Sequence, residues 1–291
     1  MIKIAVAIAT LGRPDTVSEF LDALEKQTRQ PDTLLFSVTG EKDLPQTSSA
    51  TEFSVITGTK GLCAQRNRAI EALKDDYDVI VFFDDDYVPS KYALQNIEAV
   101  FSQNPEIVGT TGNVIEDGIK GPGLSYEDAS KIVSEYDAKP SPTNIVMRDV
   151  DSLYGCNMAI RCSAIGDLQF DENLPLYGWL EDVDFTNQLL KTGRLVYTNA
   201  FAGVHCGVKS ARSPGVPLGY SQIANPVYMV RKGTRNWRNA MYIVSRNFVA
   251  NHILCLNPEP WVDRWGRVKG NWLALYHFAR GKLSPKFILK L

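Results

Sequence analysis

No two cysteines stand at the C-x-x-C spacing: Cys63, Cys156, Cys162, Cys206 and Cys255 form an odd, scattered set. That pattern argues against a disulfide framework and a structural zinc site, and suits reduced thiols in the cytosol. The three histidines are as dispersed, so no helix carries a two-histidine metal motif. No apolar run approaches the ~20 residues needed to cross a bilayer. Met1-Ile2-Lys3-Ile4-Ala5-Val6 lacks the basic, apolar, small order of a signal peptide and reads as a first core strand. Internal repeats and low-complexity segments are absent. Acids are scarce in one region only: from Val227 to Leu291 two of them, Glu259 and Asp263, face twelve Lys and Arg, a net 12 − 2 = +10. The first 226 residues hold 31 − 12 = 19 bases and 33 − 2 = 31 acids, or −12, beneath an overall charge of −2. A basic tail on an acidic body calls for an explanation. The remainder is an ordinary globular composition, 44% hydrophobic and 22% charged over 291 residues, enough for one large domain or two smaller ones.

The chain is organised around Val79 to Pro89, where the apolar run V-I-V-F-F meets Asp84, Asp85 and Asp86 and stops at a proline. A short, β-rich apolar run reads as a strand buried on both faces, as in a parallel sheet. Its aspartates then lie at the carboxyl end, where open α/β sheets bind ligands. Alternation sends Asp84 and Asp86 to one face and Asp85 to the other. Three adjacent carboxylates repel unless a cation or hydrogen bonds offset them. A hard divalent ion, Mg²⁺ or Mn²⁺, is the natural counterpart; an acidic turn capping the next helix is the plainer alternative.

Upstream, Ile2 to Ala9 reads as a strand. A helix follows, with Val17, Phe20, Leu21 and Leu24 on one face and Asp15 or Thr16 as its cap. Strands over Thr33–Val38 and Phe53–Ile56, a helix over Ala64–Leu73 and the acidic strand complete an alternation that predicts a parallel sheet with right-handed crossovers. Downstream come a helix over Lys91–Phe101 and a strand from Glu106. Residues 116–151 are weakly periodic and read as a long excursion over one face. A strand over Tyr154–Arg161 and a helix from Leu176 to Lys191 follow, the helix closed by Gly193. The last strand, Leu195–Val204, leads into His205 and a Gly-, Ser- and Pro-rich loop from Val208 to Pro217.

Five segments, Ala9-Thr-Leu-Gly-Arg-Pro, Lys60-Gly-Leu-Cys-Ala-Gln-Arg-Asn-Arg-Ala-Ile, Phe83-Asp-Asp-Asp-Tyr-Val-Pro, Gly155-Cys-Asn-Met-Ala-Ile-Arg and Gly178-Trp-Leu-Glu-Asp-Val-Asp-Phe, stand in one order along the chain. In that order and spacing the chain resembles the family-2 glycosyltransferases from Met1 to about Cys206. The resemblance implies an α/β GT-A fold, Rossmann-like, with a mixed, mainly parallel sheet flanked by helices, followed here by a C-terminal helical, basic and aromatic extension. It implies a catalytic domain over 1–226 (a nucleotide-sugar half to about 115, an acceptor half from about 116) and the extension over 227–291. It assigns Asp86 to a Mn²⁺ or Mg²⁺ ion, with His205 as a further ligand, and Asp84 and Asp85 to the donor. Thr10, Arg13, Gly61 and Arg66 match nucleotide-contacting positions. Asp182 matches the base that deprotonates the acceptor hydroxyl, with Trp179, Glu181 and Asn157 at the acceptor. Asp182 and Asp184 are equally good first-turn helix residues, Trp179 could simply pack, and Arg66 could be a solvated helix residue.

The chain departs from the family where a base-reading aspartate usually follows the second strand: Ser37-Val38-Thr39-Gly40 stands there. Uridine and thymidine diphosphate sugars both stay open as donors. The tail interleaves arginines with Trp237, Tyr242, Phe248, Trp261, Trp265, Trp272, Tyr276 and Phe278. That mixture suits peripheral contact with an anionic membrane; packing on the acidic body is the alternative, and no nucleic-acid signature accompanies the charge. The expected protein is a cytoplasmic, inverting glycosyltransferase, peripheral at the inner face of the membrane. It acts on a saccharide or lipid-linked saccharide in bacterial polysaccharide synthesis. A sugar nucleotidyltransferase, a retaining enzyme and an inactive sugar-binding protein are its competitors.

Overall fold

A computed structural model of the chain describes residues 2–45, 51–140, 144–208 and 214–291. Parts of the expected loops after the second strand (46–50), within the excursion (141–143) and after His205 (209–213) lie outside the described residues. Two compact units emerge: residues 1–60, 64–169 and 189–208 form the first, and 61–63, 170–188 and 209–291 the second. Residue 226, where the sequence suggested the body ends, lies inside a helix.

The first unit is built on one nine-stranded sheet. Its strands are β1 (Ile4–Ala9), β2 (Thr33–Val38), β3 (Ser54–Thr57), β4 (Val79–Phe83), β5 (Tyr87–Pro89), β6 (Ile107–Asp117), β7 (Met147–Asp149), β8 (Asn157–Arg161) and β9 (Arg194–His205). They lie in the order β3-β2-β1-β4-β8-β6-β9-β5, with β7 also on β9. β1, β2, β3 and β4 pair in parallel, as do β6 and β9, while β8 runs antiparallel between β4 and β6. With β5 and β7 antiparallel to β9, six strands share one direction and three oppose it, a mixed, mainly parallel sheet.

The helices of this unit are α1 (Pro14–Glu25), most of α2 (Leu62–Leu73), α3 (Ala93–Gln103) and α4 (Tyr126–Asp137). In α1 the buried Val17, Phe20, Leu21 and Leu24 are the periodic residues read from the sequence. Its start differs: Pro14 opens the helix after Arg13, without a side-chain cap, which proline tolerates because its missing N–H needs no partner there. Residues 116–151 hold more structure than expected. α4 buries only Ala129 and Val133, too thin a stripe to register as periodic, but Ser125 caps it through the N–H of Asp128, the signature that marks such a start. The core, including Ile8, Phe20, Phe36, Val81, Phe83 and Phe101, lies against the sheet.

The second unit is helical: α5 begins at Glu181 and runs to Leu189, followed by α6 (Gly215–Lys232), α7 (Trp237–Leu254) and α8 (Arg264–Ala279). Tyr220, Ile223, Ala224, Ala274, Leu283 and Ile288 form its core. α6 and α8 cross through glycines: a Cβ at Gly219 would stand 2.1 Å from the Arg267 carbonyl oxygen, and one at Gly270 2.2 Å from that of Val216. Amides bridge the helices, Asn251 donating to Gln222 (2.7 Å) and Asn271 (3.0 Å), and Asn271 to the Gly219 carbonyl (2.6 Å).

Candidate active site

β4 is buried along its whole length and delivers Asp84 at its carboxyl end. The chain then turns and re-enters the sheet as β5, paired with β9 so that Tyr87 lies opposite His205. This turn, which the sequence read as a strand end, carries Asp84 and Asp86 to one side and Asp85 to the other. One ligand atom each of Asp84, Asp86 and His205 lie within 4.8 Å of one another. His205 Nε2 is 3.4 Å from Asp86 Oδ1 and 3.8 Å from Asp84 Oδ2.

The imidazole is oriented from behind. Asp117, at the end of β6, accepts from His205 Nδ1 at 3.0 Å, and Tyr154 donates its hydroxyl to Asp117 at 3.2 Å. Holding Nδ1 turns Nε2 toward the aspartates, as carboxylates do behind metal-bound histidines. Burial acts to lower the His205 imidazolium, but hydrogen bonds to Asp117 and Asp86 and their charges overcome it and push it up to about 10. Burial likewise works to raise Asp86 and Asp117, yet His205 and backbone N–H donors hold both below the usual carboxylate range. Two carboxylates and one fixed imidazole, all but Asp84 buried, are a donor set that fits a divalent cation.

The other side of the turn faces the loop after β1. Asp85 is buried, accepts the Thr10 hydroxyl at 2.6 Å and pairs with Arg13. Burial is the largest influence on its carboxyl and raises it, with Arg13 opposing. Arg66, buried on α2, donates to Asp84 (3.0 Å) and to the Gly155 carbonyl (2.9 Å). Gln65 donates to the carbonyls of Thr10 and Ser37, 2.7 Å each, and so staples the ends of β1 and β2. Asp43 occupies the region where the base-reading aspartate was missing. It is fully buried and accepts from the N–H groups of Gly12 (2.7 Å), Thr39 (2.7 Å) and Gly40 (3.2 Å) and from the Thr39 hydroxyl (2.7 Å).

In the second unit, the helix expected from Leu176 begins only at Glu181. Leu176 (φ 60°), Gly178 (φ 69°) and Leu180 (φ 74°) are all left-handed, which a helix cannot accommodate. The left-handed region disfavours non-glycine residues by ~1–2 kcal/mol each, and such strain gathers at functional segments. The segment is held in place: the Leu62 N–H donates to the Leu176 carbonyl (3.0 Å) and Asn225 to the Trp179 carbonyl (2.7 Å). Glu181, Asp182 and Asp184 fill the first turn of α5, where the helix dipole stabilises anions. Asp184 is fully buried, bound by Lys232 (2.6 Å) and Thr234. Asp182 is half-buried, its Oδ1 accepting the Val183 N–H at 2.8 Å.

The first unit thus gathers Thr10, Arg13, Arg66, Asp84, Asp85, Asp86 and His205. Gly61, Trp179, Glu181 and Asp182 belong to the second unit. Asn157, expected at the acceptor, is fully buried in β8, where its amide meets Thr111 (2.5 Å), the Tyr87 hydroxyl (3.2 Å) and the Gly112 carbonyl (3.3 Å) and so links β8 to β5 and β6. Asp117, Tyr154, Gln65 and Asp43 escaped sequence reasoning. For Asp117 the rule applied to Asp84, an acid closing an apolar strand, would have served.

Parallel strand–helix units that deliver aspartates to the end of β4, with β8 inserted antiparallel beside it, place this protein in the GT-A class of glycosyltransferases. The chain belongs to glycosyl transferase family 2, whose sequence profile matches residues 5–168. Solved structures agree in fold. TarS 1-349 of S. aureus superposes with a TM-score of 0.54 at 14% identity, over 97% of this chain and 88% of that one. TarS 1-349 in complex with UDP-GlcNAc gives 0.54 at 15%, with the same coverage. The mannosyltransferase PcManGT of Pyrobaculum calidifontis, in complex with GDP-Man and Mn2+, gives 0.53 at 13%, over 99% and 85%. No curated protein matches the chain by sequence.

Proposed function

We propose that the protein transfers a sugar from a UDP- or dTDP-sugar to a saccharide or lipid-linked saccharide hydroxyl, with inversion, in bacterial polysaccharide assembly. The observation that carries this reading is the Asp84, Asp86 and His205 centre with its imidazole pinned by Asp117. A bound Mn²⁺ or Mg²⁺ would offset the negative charge that gathers on the diphosphate as it leaves, and the mixed oxygen–nitrogen set favours Mn²⁺. The complexes of the structural relatives with UDP-GlcNAc and with GDP-Man and Mn2+ support this direction.

Arg13 and Arg66 bind phosphate oxygens, Arg66 through a planar fork suited to them. Asp85 orients Arg13 and Thr10. The Asp182 carboxylate removes the acceptor proton as the acceptor oxygen bonds to the anomeric carbon, and the bond from that carbon to the diphosphate breaks in the same displacement. Trp179 and Glu181 contact the acceptor. Replacing Asp182→Asn keeps the size and removes the base. Transfer should fall by ~10²–10⁴-fold while calorimetric binding of UDP is unchanged. Unaltered turnover would remove Asp182 from the reaction.

A further inference from the structure

The outer faces of α7 and α8 carry large apolar side chains where a soluble helix is polar. Buried positions on α7 are Ala240 and Asn251, and on α8 Gly266, Val268, Gly270, Asn271 and Ala274, mostly small or amide side chains. Val244, Phe248, Leu273 and Leu275 pack partly buried against the core, and a second set of large apolar residues points outward. On α7, Trp237 (63%), Met241 (51%), Tyr242 (65%), Val249 (52%) and Ile253 (62%) are exposed, and on α8 Trp265 (56%), Trp272 (57%) and Tyr276 (53%). The two faces join: the Trp272 indole donates to His252 Nε2 at 2.9 Å and meets Phe248 edge-on at 5.6 Å. Large apolar and aromatic side chains on an outer helix face suit a surface that meets lipid. Soluble proteins seldom leave so broad an apolar face uncovered.

Charge identifies the occupant. Arg238 lies over Trp237 (5.8 Å), Arg246 over Tyr242 (5.9 Å) and Arg280 over Tyr276 (5.2 Å), and Lys269 is exposed between Trp265 and Trp272. The two acids after Val227 are committed within the tail: Glu259 pairs with Arg264 (2.6 Å) and Asp263 caps α8 through the Gly266 N–H (2.7 Å). We propose that α7 and α8 form a face that lies in the plane of an anionic bilayer, with aromatic rings at the headgroup level and arginine and lysine heads on lipid phosphates. No helix among the described residues is long and apolar enough to cross the bilayer, so the contact is peripheral. A second copy is disfavoured because two such basic faces repel, and duplex nucleic acid because its stacked bases offer nothing to the exposed aliphatic Met241, Val249 and Ile253. The inference does not depend on the transfer reaction.

The full chain is sedimented with vesicles of phosphatidylcholine alone and of phosphatidylcholine with an equal share of phosphatidylglycerol. Binding is expected to the anionic vesicles only, and to weaken as salt rises. The triple variant Trp237→Ser, Ile253→Ser, Trp265→Ser should keep its circular dichroism and melting temperature but bind on the order of a hundredfold more weakly. Arg238→Glu with Arg246→Glu should also release it. Absence of binding to anionic vesicles, or wild-type binding by both variants, overturns the proposal. So does a dimer that the triple variant dissolves, or duplex DNA binding lost in the arginine variant but kept in the apolar one.

Discussion

Asp43 shows how one carboxylate can shape a site without facing its ligand. With Gly12, Thr39 and Gly40 all donating to it, it ties the loop after β1 to the loop after β2, and Gly12 can be held there because its φ of 64° suits glycine. Burial alone would raise its carboxyl, but the Thr39 hydroxyl and the three N–H groups hold it below the usual range. Its stabilisation is therefore complete above the unfolded value of ~3.9 and is lost as pH falls through the lower folded value. Asp43→Ala should cost ~1–3 kcal/mol near neutral pH and flatten the acid limb of stability, as read by urea unfolding at a series of pH values. The pinned imidazole makes a second prediction. Mn²⁺ should raise the melting temperature by mass action, whereas His205→Ala and Asp86→Asn should abolish that rise. The turn of aspartates was legible because it interrupts an apolar run. Asp43 was not, since an aspartate five residues beyond β2 looks like any loop residue until its partners are known.

At the scale of elements, the α6–α8 crossing depends on hydrogen-sized side chains. Gly219 and Gly270 each approach the partner backbone too closely for any Cβ, and neither partner is a flexible side chain that could step aside. Either glycine changed to Ala should cost ~1–3 kcal/mol or more through overpacking, seen as a lowered melting temperature for the helical unit. The same two substitutions at exposed helix positions would be mildly stabilising, so the sign itself tests the packing. Periodicity revealed α1 because four large residues share its buried face. It missed α4, whose face carries only two, and started α5 too early, because left-handed backbone at Leu176 and Leu180 leaves no mark in residue type.

For the molecule as a whole, the composition break near residue 227 is a break in charge and not in structure. α6 runs from Gly215 to Lys232 through that point. The core of the second unit combines Tyr220 and Ile223 from one side of it with Ala274 and Ile288 from the other. A chain ended after residue 226 should lose soluble yield and helical signal, since it keeps half of an apolar core without its cover; a stable, fully soluble truncated protein would show that the helices fold independently of that core.

By itself the sequence determined the strand–helix alternation, the acidic turn at the end of β4 and the glycosyltransferase motifs. These are local, written in runs of neighbouring residues whose apolar spacing and turn chemistry act over a few positions. Only the tertiary structure decided that β8 enters antiparallel between β4 and β6, that Asn157 belongs to the sheet interior, and that Asp117 stands behind His205. Those two are 88 residues apart, brought together by strand register, and a pairing set by register leaves no periodic trace in the chain.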